Sequence, residues 1–372
     1  MTTENKRITV GLLFGGRSAE HDVSRASAAN VLRALDPDRY DVVLIGISKE
    51  GRWLHCDTAN GAGAGAAMLS VPDVARQLAL VPGARGQLVY CDGSSTGQPG
   101  AALRVDVVFP VLHGPNGEDG TVQGALALAD VPFVGSAVTG SAAAMDKDVA
   151  KRLIRDAGLP HVPFITMTAK SAITYDTAIT KLSTPDLFVK PANMGSSVGV
   201  SRAKTAAEFD EACELAFRYD DKLLVEQRVE GAREIECSVL EDVNGQILAS
   251  ALGEIIPAEK HGFYSYQAKY LDADGAGLRV PADVAPHMGN RFRDLAIEVF
   301  RLLNCEGMAR IDFFLSGEKI FVNEANTLPG FTSISMYPKL WEASGLSQSA
   351  LMDKLIAHAL ARHRRRSVFS TE

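Results

Sequence analysis

Apolar and polar positions follow two rhythms along the chain. Ile8–Phe14 and Tyr40–Ile47 are short, nearly unbroken apolar runs, the pattern of strands covered on both faces. Between them Gly15-Gly16-Arg17-Ser18 predicts a turn, and Ala26–Leu35 carries its apolar residues at helical spacing. Val105–Val111 reads as a later strand. Strands alternating with helices predict a parallel sheet with ligands at the strands' carboxyl ends.

A second unit begins near Gly135. Lys147–Ala157 predicts a helix stopped by Gly158 and Pro160. Leu187–Lys190 is a strand leading into the small-residue loop Pro191–Gly199, and Leu223–Glu226 is another strand. In a third region, Ile235–Leu240 and Ile247–Leu252 predict a hairpin around Asn244-Gly245. Arg293–Leu303 predicts a helix, and Met308–Leu315 and Lys319–Asn323 predict strands. Lys260–Arg279 is long, polar and aromatic-rich without a period, as expected of a lid or binding segment. Ala59–Ala67 predicts a flexible loop with no chemistry attached.

At 372 residues the chain exceeds one ordinary core and suits two or three α/β domains, with bounds expected at residues 1–136, 137–228 and 229–372. Its 46% hydrophobic and 22% charged residues are an ordinary globular balance. No apolar run approaches the ~20 residues of a membrane span. The polar stretch Met1–Arg7 leads straight into a strand, so no secretory signal is expected. Five scattered cysteines without a CxxC pair point to a reducing cytoplasm. The net charge of -7 argues against nucleic-acid binding. Arg362-His363-Arg364-Arg365-Arg366 reads as a solvated helix end complementing the macrodipole. Eight histidines form no HExxH, which disfavours a zinc hydrolase.

The third region carries the strongest chemical pattern. In Arg310-Ile311-Asp312 the two charged residues share one strand face, and on the adjoining strand Glu324 and Asn326 share another. Asp312, Glu324 and Asn326 together supply hard oxygen ligands suited to Mg²⁺ bridging nucleotide phosphates. A structural salt bridge from Arg310 would use the same residues. Next come Thr327-Leu328-Pro329-Gly330-Phe331, whose Pro-Gly turn could offer amides to an oxyanion or be a plain turn. Lys190 at a strand end, before Asn193-Met194-Gly195-Ser196-Ser197-Val198-Gly199, fits phosphate binding, although the lysine precedes the glycines and this is no GxxxxGK[ST] loop. The first loop lacks GxGxxG, which disfavours a dinucleotide site. Glu20 and His113, at the ends of strands, could hold the ends of a small zwitterion or be surface charge.

Taken together, LFGGRSAEHDVS, HGPNGEDG, MDKDVAK, FVKPANMGSSVGVS, AREIE, AKY, ARIDF and NEANTLPGFTSISMYPKLW resemble the D-alanine–D-alanine ligase family from about Val10 to Gly345. The resemblance implies an α/β ATP-grasp architecture, with an N-terminal parallel-sheet unit and two α+β units that sandwich ATP. It implies a cytoplasmic, dimeric enzyme that joins two D-alanines through an acylphosphate for peptidoglycan precursors, using ATP and two Mg²⁺ (or Mn²⁺) ions. Glu20 would take the first D-alanine's ammonium, with Ser196 and Tyr270 positioning it and His113 lining the subsite. Lys147, Lys190 and Lys269 would meet the phosphates, Glu226 the adenine side and Glu234 the ribose. Asp312, Glu324 and Asn326 would hold the metal, Arg310 and the Gly330 amide the oxyanion, and Ser335 the second D-alanine's carboxylate. The chain departs from the family at Arg228 and Ile334. The nearest rival is a ligase making D-alanyl-D-lactate, and the retained Tyr270 favours an amine as second substrate.

Overall fold

The computed structural model describes residues 6–56, 66–91, 103–257 and 276–368. Among the described residues, four sheets carry the fold. In the first, Ile8–Gly15 lies between Tyr40–Ile47 and Val107–Val111 and is parallel to both, and Trp53–Cys56 adds an antiparallel edge. Every side chain from Val10 to Gly15 is buried, as the unbroken apolar run predicts. The helix on this sheet begins at His21, five residues before its apolar periodicity shows, because its first turn carries the polar His21, Asp22 and Ser24. Glu20 therefore stands directly at the helix start.

The strand predicted over Val105–Val111 forms, starting two residues later at Val107. Leu103–Arg104 belongs to a small sheet with Gln87–Tyr90 and Leu78–Leu80, and Val107–Val111 to the first sheet. The break falls at Asp106, whose carboxylate accepts from the Thr9 amide (2.9 Å) while its own amide donates to the Thr9 carbonyl (2.8 Å). A side chain acting as a backbone acceptor ends regular pairing.

The second sheet, ordered Ser201–Ala203, Leu187–Pro191, Lys222–Gln227, Phe164–Thr168, is antiparallel and backed by helices Tyr175–Leu182 and Ala206–Phe217. The third is also antiparallel, running Ala276–Arg279, Ile247–Pro257, Arg233–Glu241, Met308–Ser316, Lys319–Asn326. The hairpin at Asn244-Gly245 forms as the turn residues predict, with Gly245 at φ 81. The strand predicted at Lys319–Asn323 continues to Asn326, past a bulge where Asp312 faces Glu324 but Phe313 faces Val322. Residues 276–279 of the long aperiodic segment lie in this sheet, where Arg279 reaches Glu254 (3.3 Å). The rest of that segment and most of the Ala59–Ala67 stretch lie outside the described residues.

One buried cluster joins Leu12, Phe14 and Phe109 of the first sheet to Leu328, Tyr337 and Leu355 from the end of the chain. The N-terminal sheet is thus covered partly by the C-terminal helices Met336–Ala343 and Gln348–Arg366. Arg362 departs from its reading as a solvated cation. It is only 4% exposed and donates to the Gly135 and Phe133 carbonyls, the latter at 2.7 Å. A helix-period pattern shows which residues share a face, and here that face includes an arginine whose donors find carbonyls across the interface. Among the described residues, no helix is long and apolar enough to cross a membrane.

Candidate active site

Three strands of the third sheet put polar side chains on one face in register, Glu236 beside Asp312 beside Glu324, and Ser238 beside Arg310 beside Asn326. The intervening Ile311 is fully buried on the opposite face. Arg310 donates twice to Asp312 (2.7 and 2.7 Å) and lies 3.2 Å from Glu236. Burial disfavours its cation, but Asp312 and Glu236 outweigh that and hold the guanidinium well above its ordinary range. The amide nitrogen of Asn326 donates to Asp312 at 3.0 Å. Asp312, Glu324 and Asn326 therefore do come together, with the Arg310–Asp312 salt bridge also formed. Among the described residues no three His, Cys, Asp or Glu side chains group closely enough to hold a metal. An oxygen shell here needs the Asn326 amide oxygen and ligand oxygens beside the two carboxylates, which a hard dication accepts.

Lys147 links this sheet to the second one. Asp146 caps its helix through the amides of Asp148 and Val149, and Lys147 points across to the Met194 carbonyl (2.7 Å) and to Glu324 (3.3 Å). Lys190 projects from Leu187–Pro191 onto Glu226 (2.8 Å), and Lys151 meets the other oxygen of Glu226 (2.9 Å). Both carboxylate oxygens of Glu226 thus face lysines. Burial disfavours that carboxylate, but the two ammoniums dominate and hold it below its ordinary range. Glu234 lies on Arg233–Glu241, two residues from Glu236 and on the same face.

The loop after Lys190 and the loop after the first strand meet at Glu20. The Ser196 hydroxyl donates to the Glu20 carboxylate. A Cβ at Gly195 would stand 2.8 Å from that carboxylate, so only glycine permits the approach. Ser196 and Ser197 both hold left-handed backbone (φ 51 and 58), a strained conformation of the kind that persists where surroundings over-determine it. Glu20 itself is 9% exposed rather than surface charge.

His113 is buried, with Nδ1 3.1 Å from the Leu328 carbonyl and Nε2 3.2 Å from the Ser27 hydroxyl. Burial pushes its pKa down against the pull of Glu20, so the ring is neutral, and the carbonyl contact puts the proton on Nδ1. Glu118 accepts from the amides of Gly114 (2.8 Å) and Leu328 (3.2 Å), and Ser27 accepts from the Phe331 amide (3.1 Å). The turn carrying Gly330 is thereby fastened at both ends to the loop and helix that flank the first sheet. A Cβ at Gly330 would be 2.8 Å from the Ser335 hydroxyl, which also binds Thr332 through its amide (2.9 Å) and hydroxyl (2.8 Å). Lys269 and Tyr270 lie outside the described residues. Lys151, Glu236 and Glu118 were not singled out from sequence. Spacing offers a signal for two of them, since Lys151 lies one helical turn after Lys147 and Glu236 two strand positions after Glu234.

Residues 9–136 match the family model described as D-ala D-ala ligase N-terminus, and residues 153–357 the model described as D-ala D-ala ligase C-terminus. The chain is 68% identical over 370 residues to a D-alanine--D-alanine ligase B from Bradyrhizobium diazoefficiens, covering 100% of this chain and 98% of that one. Among solved structures, the D-alanine-D-alanine ligase from Coxiella burnetii superposes with a TM-score of 0.83 at 37% identity, covering 97% of this chain and 96% of that one. The VanG D-Ala:D-Ser ligase from Enterococcus faecalis superposes with a TM-score of 0.79 at 31% identity, covering 95% and 100%. With both halves matched and relatives this similar along nearly the whole length, the chain belongs to the D-alanine–D-alanine ligase family and has its ATP-grasp fold.

Proposed function

We propose that this chain uses ATP to join two D-alanines into D-alanyl-D-alanine, for peptidoglycan precursors in the cytoplasm. The observation that carries the reading is a single small cavity lined by Glu118, Lys147, Gly195, Glu324 and Asn326, drawn from all three major parts of the chain. Lys147, assigned to phosphate, and Glu324 and Asn326, assigned to metal, thus line one space with Gly195, whose neighbour Ser196 bonds Glu20, as a reaction between a nucleotide and a carboxylate requires.

In this reading Glu20 receives the ammonium of the first D-alanine, positioned by Ser196 and Tyr270, with His113 closing the subsite. Its carboxylate attacks the γ-phosphate, and ADP leaves an acylphosphate. The amine of the second D-alanine, whose carboxylate Ser335 holds, then attacks the activated carbonyl, and phosphate departs through a tetrahedral intermediate. Arg310 and the Gly330 amide face the charge that develops in both steps. Lys147, Lys190 and Lys269 hold the phosphates, and Glu234 the ribose. Glu226, with both oxygens on lysines, serves the adenine side through its backbone and the phosphate lysines through its side chain. Asp312, Glu324 and Asn326 would hold Mg²⁺ or Mn²⁺, which neutralises phosphate charge when bound. The residue boundaries 1–136, 137–228 and 229–372 divide these duties, with residues 260–279 as lid, and the family's homodimer is the expected assembly.

Phosphate release from ATP, measured with D-alanine, L-alanine, D-serine and D-lactate in turn, tests the proposal. D-alanine alone should support full turnover and yield D-alanyl-D-alanine. Preferential release with L-alanine, or a mixed D-alanyl product when D-serine or D-lactate competes at equal concentration, would overturn it.

A further inference from the structure

Lys151 is buried against Glu226 and has no part in the chemistry above. Its side chain is 1% exposed, its ammonium lies 2.9 Å from Glu226, and the Phe164 ring is 5.9 Å away. A buried charge of purely structural purpose needs one counter-charge, and the pair Lys151–Glu226 would be complete by itself. Yet Glu226 is shared, because Lys190 lies 2.8 Å from its other oxygen. The neighbouring Glu324 is paired with Lys147. At Glu226 itself, two lysines face one carboxylate, which leaves one positive charge in excess there. Lys190, 10% exposed, is the most exposed member of the trio Lys151, Glu226 and Lys190.

We infer that Lys151 is a positioning residue for nucleotide phosphate: by occupying half of Glu226, it keeps that carboxylate from neutralising Lys190, so Lys190 retains charge for an incoming anion. This inference rests on the reading of the site as an ATP site. The geometry explains why two lysines converge on one carboxylate inside the protein, an arrangement that is costly until an anion completes it. It also explains the spacing of Lys147 and Lys151, which share one helix face and meet Glu324 and Glu226 respectively.

The experiment measures binding of a non-hydrolysable ATP analogue with Mg²⁺ to the full-length protein by calorimetry, alongside KM for D-alanine and kcat. Lys151→Met keeps the length of the side chain and removes its charge. Analogue affinity should fall at least tenfold while the D-alanine KM stays within twofold. Lys151→Met combined with Glu226→Gln restores the excess positive charge on Lys190, and affinity should return to within threefold of the unmodified protein. A purely structural Lys151 predicts instead that analogue affinity, the D-alanine KM and kcat deteriorate together in Lys151→Met. Unchanged affinity in Lys151→Met, or an equal loss in the double variant, overturns the inference. Should the single variant not fold, the double still decides, because it exchanges a buried ion pair for a neutral pair of similar size; a tenfold loss there also overturns it. Failure of the unmodified protein to bind the analogue would instead overturn the ATP reading, so the two failures are distinct.

Discussion

Arg310 shows how much one side chain can be asked to do. Its guanidinium is held between Asp312 and Glu236, with its fork fixed by two 2.7 Å bonds, so in the role proposed for it, it would meet transition-state charge without rearrangement. Arg310→Ala should lower kcat by roughly 10²–10³-fold, about 3–4 kcal/mol of transition-state stabilisation. Steady-state kinetics separate the outcomes: a near-normal kcat with only a raised ATP KM would assign Arg310 to uniform binding. Glu324 tests the metal at the same scale. It stands opposite Asp312 and 3.3 Å from Lys147, so Glu324→Ala removes an oxygen donor and releases that lysine together. Turnover should vanish in the variant, and in the unmodified enzyme under excess chelator, returning with Mg²⁺ or Mn²⁺. Undiminished turnover in chelator would sink the metal assignment. Both residues were legible in sequence because strand alternation fixes which side chains share a face. The partner Glu236 was not, because its place beside Arg310 depends on which strands neighbour one another, and a single sequence does not state that.

Between elements, the decisive contacts run from loop to loop. Glu118 accepts amides from its own loop and from the turn at Leu328, and so couples the His113 loop to the Gly330 turn. Burial, together with the charge of Glu20, pushes its carboxyl up to about 8 from 4.5. The folded protein therefore keeps a proton between those values that the unfolded chain has released. That contribution to stability is fully present below pH 4.5 and is lost as pH rises through about 8. Glu118→Gln cannot ionise and gives up one amide acceptor at every pH. Its stability should be lower at pH 5, but the gap should close towards pH 8, by at most about 1.4 kcal/mol per pH unit. Urea denaturation of both proteins at pH 5, 6, 7 and 8 measures the gap, and parallel stability curves would show that Glu118 titrates ordinarily. The motif HGPNGEDG was visible in the sequence, whereas the role of its glutamate needs the partner loop 210 residues away. The same limit explains the late start of the strand Val107–Val111, because Asp106 accepts from the Thr9 amide on the neighbouring strand.

At the scale of the molecule, the end of the chain returns to its beginning. The C-terminal helix covers the first sheet, and Arg362 fixes it there through the Gly135 and Phe133 carbonyls, its guanidinium 4.6 Å over the Phe133 ring and 3.5 Å from Glu306. Burial lowers the Arg362 pKa to about 10, still far above neutrality, so it remains a cation inside the protein. Composition alone assigned the whole run Arg362–Arg366 to solvent, since nothing local separates one arginine of the cluster from another. Helical geometry does separate them once the packed face is known, and the two neighbours of Glu306 then make opposite predictions. Arg362→Met leaves two buried carbonyls and part of a carboxylate without their donor, which should cost about 3–5 kcal/mol. Arg366→Ala removes a contact to the same glutamate (2.8 Å) from a side chain 50% exposed, which should cost less than about 1 kcal/mol. Denaturant unfolding of the two variants, read against the unmodified protein, compares them directly. Because Gly135 also lies against Leu328, at the start of the turn that carries Gly330, loosening the helix should reach the site. Arg362→Met should therefore lose activity at temperatures below its own unfolding, whereas Arg366→Ala should not. Equal, small losses of stability in both variants would return Arg362 to the solvated role that its neighbours keep.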